Sequence, residues 1–191
     1  MEKYLYLTRK EWVPTWVEGG TIPIKLASSY LSDSRNGSMT PDENLIHESN
    51  VDLTKLSPFI HIPKHGSIRS LTMTDNRVFG KPLPDINDGK YIHEDGLILS
   101  FSNSLASSIA TRLGKEACVV IHDIGQLKSC IDEQLGVEGK MAPCKYTDDH
   151  QRNHFLKSAE DSWQDEYRIF WSLPEEKEVI IPGGLCSEVE I

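Results

Sequence analysis

The chain has 191 residues, 38% of them hydrophobic and 26% charged, which is enough to bury one core and excludes a disordered or fibrous polymer. Asp and Glu total 29 against 20 Lys and Arg, and the formal net charge of −9 excludes a high-affinity, nonspecific nucleic-acid binder. Apolar runs such as Leu97-Ile98-Leu99 are far too short to cross a bilayer, and Met1-Glu2-Lys3-Tyr4 lacks a basic-then-apolar export pattern, so a cytoplasmic protein without membrane contact is expected.

In chain order, Tyr4-Leu5-Tyr6-Leu7-Thr8 predicts a strand, and Trp12, Val13, Trp16 and Val17 recur at helical spacing up to Gly19-Gly20. Trp12 and Trp16 then share a helical face turned to the core. Thr21 to Leu26 predicts a second strand with Pro23 suited to an edge. A polar segment, Ser28 to Asn50, follows; Thr40-Pro41-Asp42-Glu43 has the capping-box pattern of a short helix. Ser57 to Lys90 is rich in Pro, Gly and Asp, and predicts loops around one or two short strands with an apolar patch near Ile68 to Val78. Lys64, His65, Arg69, Arg77 and Lys81 make this stretch basic, either as a local patch for a nucleic-acid substrate or as solvated surface.

Regular structure returns with a strand over Gly96 to Ser102, a helix through Leu105, Ile109, Arg112 and Leu113 to Gly114, and a buried strand over Ala117 to His122. Ile124 to Leu135 predicts an amphipathic helix ending at Gly136. Further strands are expected over Ala142 to Tyr146, Tyr167 to Trp171 and Val179 to Ile181. Strands and helices mix irregularly without a repeat or linker, which predicts one α+β domain over residues 1–191.

No G-x-G-x-x-G, Walker, H-E-x-x-H or G-x-S-x-G signature is present. Cys118, Cys130, Cys144 and Cys186 are irregularly spaced with no C-x-x-C pair, as expected of free thiols. His122 with Asp123, and His61 with His65, lack a third partner at ligand spacing and are assigned to structure; no metal is expected. The most informative segment is Trp163 to Phe170. Alternation along a strand puts Glu166, Arg168 and Phe170 on one face and Asp165, Tyr167 and Ile169 on the other. Glu166 and Arg168 then either pair on an exposed sheet face or form part of a site.

Four pieces in this order, Leu5-Tyr6-Leu7-Thr8, Leu97 to Ser102, Val119 to Asp123 and Lys157 to Phe170, resemble a bacterial domain family that opens on a Tyr-rich strand and closes on Trp, an acidic residue, then Glu-aromatic-Arg-Ile. That family in turn resembles the ADP-ribosyltransferase fold, including toxins that modify nucleic acids. The resemblance implies a split or mixed β-sheet core with peripheral helices that clamps NAD as substrate, with Glu166 as the catalytic carboxylate. It also implies an early-strand residue that contacts NAD, for which the first strand offers Tyr6, Thr8 and Arg9; Arg9 is the candidate for the pyrophosphate. Ser100 and Ser102 correspond to the hydroxyl motif beside the nicotinamide ribose, and Ser28, Ser29 and Arg35 lie where the family contacts substrate. The implied activity is an NAD-dependent ADP-ribosyltransferase, a toxin of a phage-defence or toxin–antitoxin system acting on RNA, DNA or protein, with an antitoxin partner. A non-catalytic binding or immunity module of the same fold, and an NAD glycohydrolase, are the alternatives.

Overall fold

The computed structural model describes residues 1–56, 59–63 and 66–191. The first half runs β1 (Lys3–Leu7), α1 (Val13–Val17), β2 (Gly19–Leu26), β3 (Leu45–Glu48), β4 (Ile68–Met73), β5 (Arg77–Val78), β6 (Lys81–Pro82) and β7 (Ile86–His93). The second half runs β8 (Leu97–Ser102), α2 (Ser107–Leu113), β9 (Ala117–Ile121), α3 (Ile124–Leu135), β10 (Lys140–Pro143), β11 (Lys145–Thr147), β12 (Leu156–Ser158), β13 (Glu166–Trp171), β14 (Lys177–Pro182) and β15 (Cys186–Val189). Strands outweigh helices and the two do not alternate regularly, so the chain is α+β.

The central sheet, in the order β10-β13-β8-β1-β9-β15, is antiparallel at every pairing and forks at β8. One edge of β8 pairs with β13 along its whole length, from Leu97 opposite Trp171 to Ser102 opposite Glu166. The other edge is divided. Leu97 and Ile98 pair with Leu26 and Lys25 of β2, whereas Ser102 pairs with Tyr4 of β1. The rest of β2 pairs with β14 instead.

The main core fills the fork. Leu7, Leu97, Phe101, Val119, Ile121, Tyr167, Ile169 and Trp171 meet Ile22, Ile24, Val179 and Ile181 of the β2–β14 arm, closed by Val13 and Trp16 of α1 and Ile124, Leu127 and Ile131 of α3. Each such side chain, fully buried, contributes about 1.5–3 kcal/mol. Alternation sends Tyr6 and Cys118 to the opposite face, against Ile109 and Ala110 of α2. All of β9 is buried because both faces are covered. Asp123 caps α3 by accepting from the Gly125 N–H at 3.0 Å, and Gly136, left-handed at φ 68°, ends it. A smaller sheet, β3-β7-β4, joins the main body where His47 pairs with Arg152.

Several elements differ from expectation. Thr40 to Asn44 does not form a helix: the Glu43 carboxylate accepts from Thr40 Oγ1 at 3.0 Å, the chain turns, and β3 follows. The Ser57 to Lys90 stretch holds β4, β5, β6 and most of β7. The Ala142 to Tyr146 strand breaks at Cys144 into β10 and β11, and β15 extends the sheet beyond the last expected strand. Trp12 is 45% exposed while Trp16 is 6% exposed. Trp12 ends a 3-10 turn, Lys10–Trp12, whose tighter winding takes it off the face that Trp16 occupies. Lys64 and His65, and with His65 its pairing with His61, lie outside the described residues; Arg69, Arg77 and Lys81 are exposed. The cysteines are free. Among the described residues no helix is long and apolar enough to cross a membrane.

Candidate functional site

Strand β13 starts from a strained turn. Asp165 sits at φ 43°, a region that Asp and Asn tolerate better than other side chains. Its carbonyl accepts from the Asn103 N–H at 2.8 Å, and its carboxylate is held by Asn103 Nδ2 at 3.1 Å and by the Ser104 hydroxyl. Ser102 Oγ donates to the Gln164 carbonyl at 3.1 Å. The end of β8 therefore fixes the entry of β13, and Glu166 enters on the face away from the main core.

On that face four charged side chains converge, each buried. Glu166 Oε1 accepts from Arg168 Nε at 2.7 Å and Oε2 from Lys157 Nζ at 2.7 Å. Arg168 also donates to the Glu43 carboxylate and to the His154 carbonyl, the latter at 3.0 Å, while Lys157 donates to Gln164 Oε1 at 2.8 Å and lies 3.8 Å from Glu43. Two carboxylates and two cations are thus neutralised within the group, the condition under which buried charge is tolerated. Burial alone would raise the pKa of Glu166; Arg168 and Lys157 overcome that and hold it at about 2. For Arg168, burial pulls its pKa down, but Glu166 and Glu43 raise it on balance. Burial pushes the neighbouring Cys144 thiol up to about 12, so it is not a nucleophile at neutral pH.

The network floors a cavity of about 150 Å³ whose walls are Tyr4, Tyr6, Tyr30, Ser100 and Ser102, with Lys115 beside Leu113. A cavity of that size accommodates one six-membered ring. A larger hollow of about 440 Å³ lies between β3, β7 and β10, around His154 and Phe170. Size favours the second hollow. The first is the better candidate because convergent polar groups and a strongly perturbed carboxylate meet there.

The structure brings Tyr6, Ser100, Ser102 and Glu166 together at one cavity. Ser102 is the cross-strand neighbour of Glu166 and Ser100 that of Arg168. Thr8 touches the site only through its hydroxyl, which accepts from Lys115 at 2.8 Å. Arg9 is not at the cavity: β1 ends at Leu7, and Arg9 points to solvent beside Glu11 at 3.4 Å. Ser28 and Arg35 are also elsewhere. Ser28 bonds Asp95 through N–H and hydroxyl, and Arg35 is consumed by Asp42 at 3.1 Å, Glu160 at 2.6 Å and Asp161. Glu166 and Arg168 do pair, but in the interior rather than on an exposed face. Glu43, Lys157 and Lys115 were not anticipated as site residues. Glu43 carried a signal, the Thr40–Glu43 capping pattern, which marks a turn here.

Among the described residues no group of three or more His, Cys, Asp or Glu side chains is arranged to hold a metal. Compared with protein-family models, with curated proteins and with solved structures, the chain gives no match.

Proposed function

We propose that the protein is an NAD-dependent ADP-ribosyltransferase, with NAD as substrate and its nicotinamide-bearing ribose in the cavity above Glu166. The observation that carries this reading is a carboxylate kept ionised at the floor of a ring-sized cavity, directly across the strand pair from a serine. Breaking the C–N glycosidic bond sends its electron pair to nicotinamide and leaves positive charge on the ribose, which a fixed carboxylate stabilises. A group with a pKa near 2 is a poor base. Glu166 therefore acts by charge and by orienting ribose hydroxyls, with Ser100 and Ser102, while the proton of the acceptor leaves to water. The acceptor is a nucleic acid or a protein, and a toxin held by an antitoxin partner in the cytoplasm is the biological setting this chemistry suits.

One observation favours a second reading, a non-catalytic binding module. Both oxygens of Glu166 already accept hydrogen bonds from Arg168 and Lys157, as in a structural ion-pair cluster. Nicotinamide release from NAD, with and without RNA, DNA and cell lysate, decides between them. Release by wild type, lost in a folded Glu166→Gln variant and in Ser100→Ala, supports the enzyme; dependence on an added acceptor separates transferase from glycohydrolase. NAD binding without release under any condition supports the binding module. Neither binding nor release sinks both.

A further inference from the structure

Glu43 and Glu166 are balanced by Lys157 and Arg168, and these four charges satisfy one another. Lys115 is the remaining charged residue of the cavity lining. Its Nζ donates to Thr8 Oγ1 at 2.8 Å, and among the described residues no carboxylate stands within ion-pair distance of it. Lys115 follows Gly114, the left-handed residue that ends α2, and its N–H closes that turn on the Ala110 carbonyl at 2.9 Å. Its place is therefore fixed by the backbone, and burial pulls its pKa down because nothing nearby offsets the charge. A cavity with a neutral floor and one unbalanced cation carries a net positive charge, in a chain whose formal charge is −9. Such a cavity selects against neutral ligands and for a monoanionic or dianionic one.

We propose that Lys115 is the anion-binding group of this cavity and that its ligand is a ring, seated against Tyr4, Tyr6, Ser100 and Ser102, that carries a phosphate reaching Lys115. The inference rests on reading the cavity as a ligand site; under the NAD reading the phosphate is the one attached to the nicotinamide ribose. It also replaces Arg9 as the cation for that role. Lysine serves as a point charge here, so the contact recognises phosphate without the planar geometry that arginine would impose.

Nicotinamide riboside and nicotinamide mononucleotide differ by one phosphate, and calorimetric titration of both tests the assignment. Wild-type protein binds the mononucleotide at least about tenfold more tightly than the riboside, the gain of one charge-assisted hydrogen bond. In Lys115→Met the mononucleotide loses its advantage over the riboside, and Lys115→Arg restores part of the preference. Equal affinities on wild type, or a preference that survives in Lys115→Met, overturns the role of Lys115 and leaves the NAD reading standing. If neither compound binds, the NAD reading fails, and inorganic phosphate becomes the probe. Modification of Lys115 by an amine-reactive reagent, followed by mass spectrometry, is then slowed by phosphate relative to chloride at equal ionic strength. An unchanged rate overturns the proposal.

Discussion

Replacing Lys157 by Met keeps most of the side-chain volume and removes one cation from the buried network. Lys157 is 6% exposed, and its Nζ lies 2.7 Å from Glu166, 2.8 Å from Gln164 and 3.8 Å from Glu43. Glu166 and Gln164 each lose a hydrogen-bond donor and Glu43 loses a nearby cation, all at buried positions. Removing one partner of a buried ion pair costs about 3–5 kcal/mol. Arg168 still holds both carboxylates, which puts the expected loss at the lower end, about 3 kcal/mol. At about 2–4 °C per kcal/mol for a chain of this size, the melting temperature falls by roughly 6–12 °C. Urea unfolding is the assay: the midpoint drops while the slope stays constant. Adding Glu166→Leu to Lys157→Met removes the excess negative charge and leaves Arg168 balanced by Glu43, so the double variant is less destabilised than the sum of the singles. A loss under about 1 kcal/mol, the size of an exposed pair, or strict additivity would refute the claim that these charges are desolvated and coupled.

The pKa of Glu166 is lowered from 4.5 to about 2, so its stabilisation is complete above the ordinary value and disappears as pH falls between those limits. That window carries roughly 3 kcal/mol; urea midpoints followed from pH 5 to pH 2 fall steeply, on the order of that energy, and a flat profile in wild type would contradict the assignment. His154, buried and stacked on Phe170 at 3.7 Å between ring centres, has its pKa lowered from 6.5 to about 4 by burial. The unfolded chain takes up that proton first, so stability already declines as pH drops from 6.5 towards 4; His47, likewise lowered to about 4 by burial, contributes to the same limb, and His154→Phe makes that limb shallower while leaving the more acid one. Phe79 is fully exposed at φ 48° in the β5–β6 hairpin, a backbone shape that suits Asn. Phe79→Asn therefore raises the urea midpoint, by about 1 kcal/mol or less in stability; a lower midpoint would mean that the ring contributes packing.

The strands and helices that were legible in the sequence are those whose own residues decide them. The apolar run Ala117 to Ile121, and the helix from Asp123 to Gly136 with a cap at each end, follow from local pattern alone. Alternation along Glu166 to Trp171 correctly separated Glu166 and Arg168 from Tyr167 and Ile169. The small sheet was opaque because its period is broken: the β4–β7 register shifts between Ile68 and Leu71 and again between Leu71 and Met73, and Asp88 lies at φ 46°. The site was legible on the strands and illegible across them. Arg168 meets Glu43 over a separation of 125 residues, and no spacing rule spans that distance. Arg9 misled because strand membership was inferred from neighbouring residues, whereas β1 stops at Leu7 and the chain turns outward.

The same ion pairs that shape the cavity floor also fasten the small sheet to the large one. Glu43 stands two residues before β3, Arg168 lies in the middle of β13, and the His154 carbonyl that Arg168 grips belongs to the segment that pairs with His47 of β3. A variant at Glu166, Lys157 or Arg168 therefore perturbs assembly and chemistry together, and lost activity there does not by itself separate the two. Ser100 and Lys115 are placed differently: Ser100 is exposed, Lys115 is bonded to Thr8, and neither belongs to the four-charge network. Changes at these two positions should leave the urea midpoint within about 0.5 kcal/mol of wild type. If function depends on the cavity, they reduce binding at constant stability; if function depends only on the assembled surface, they change neither.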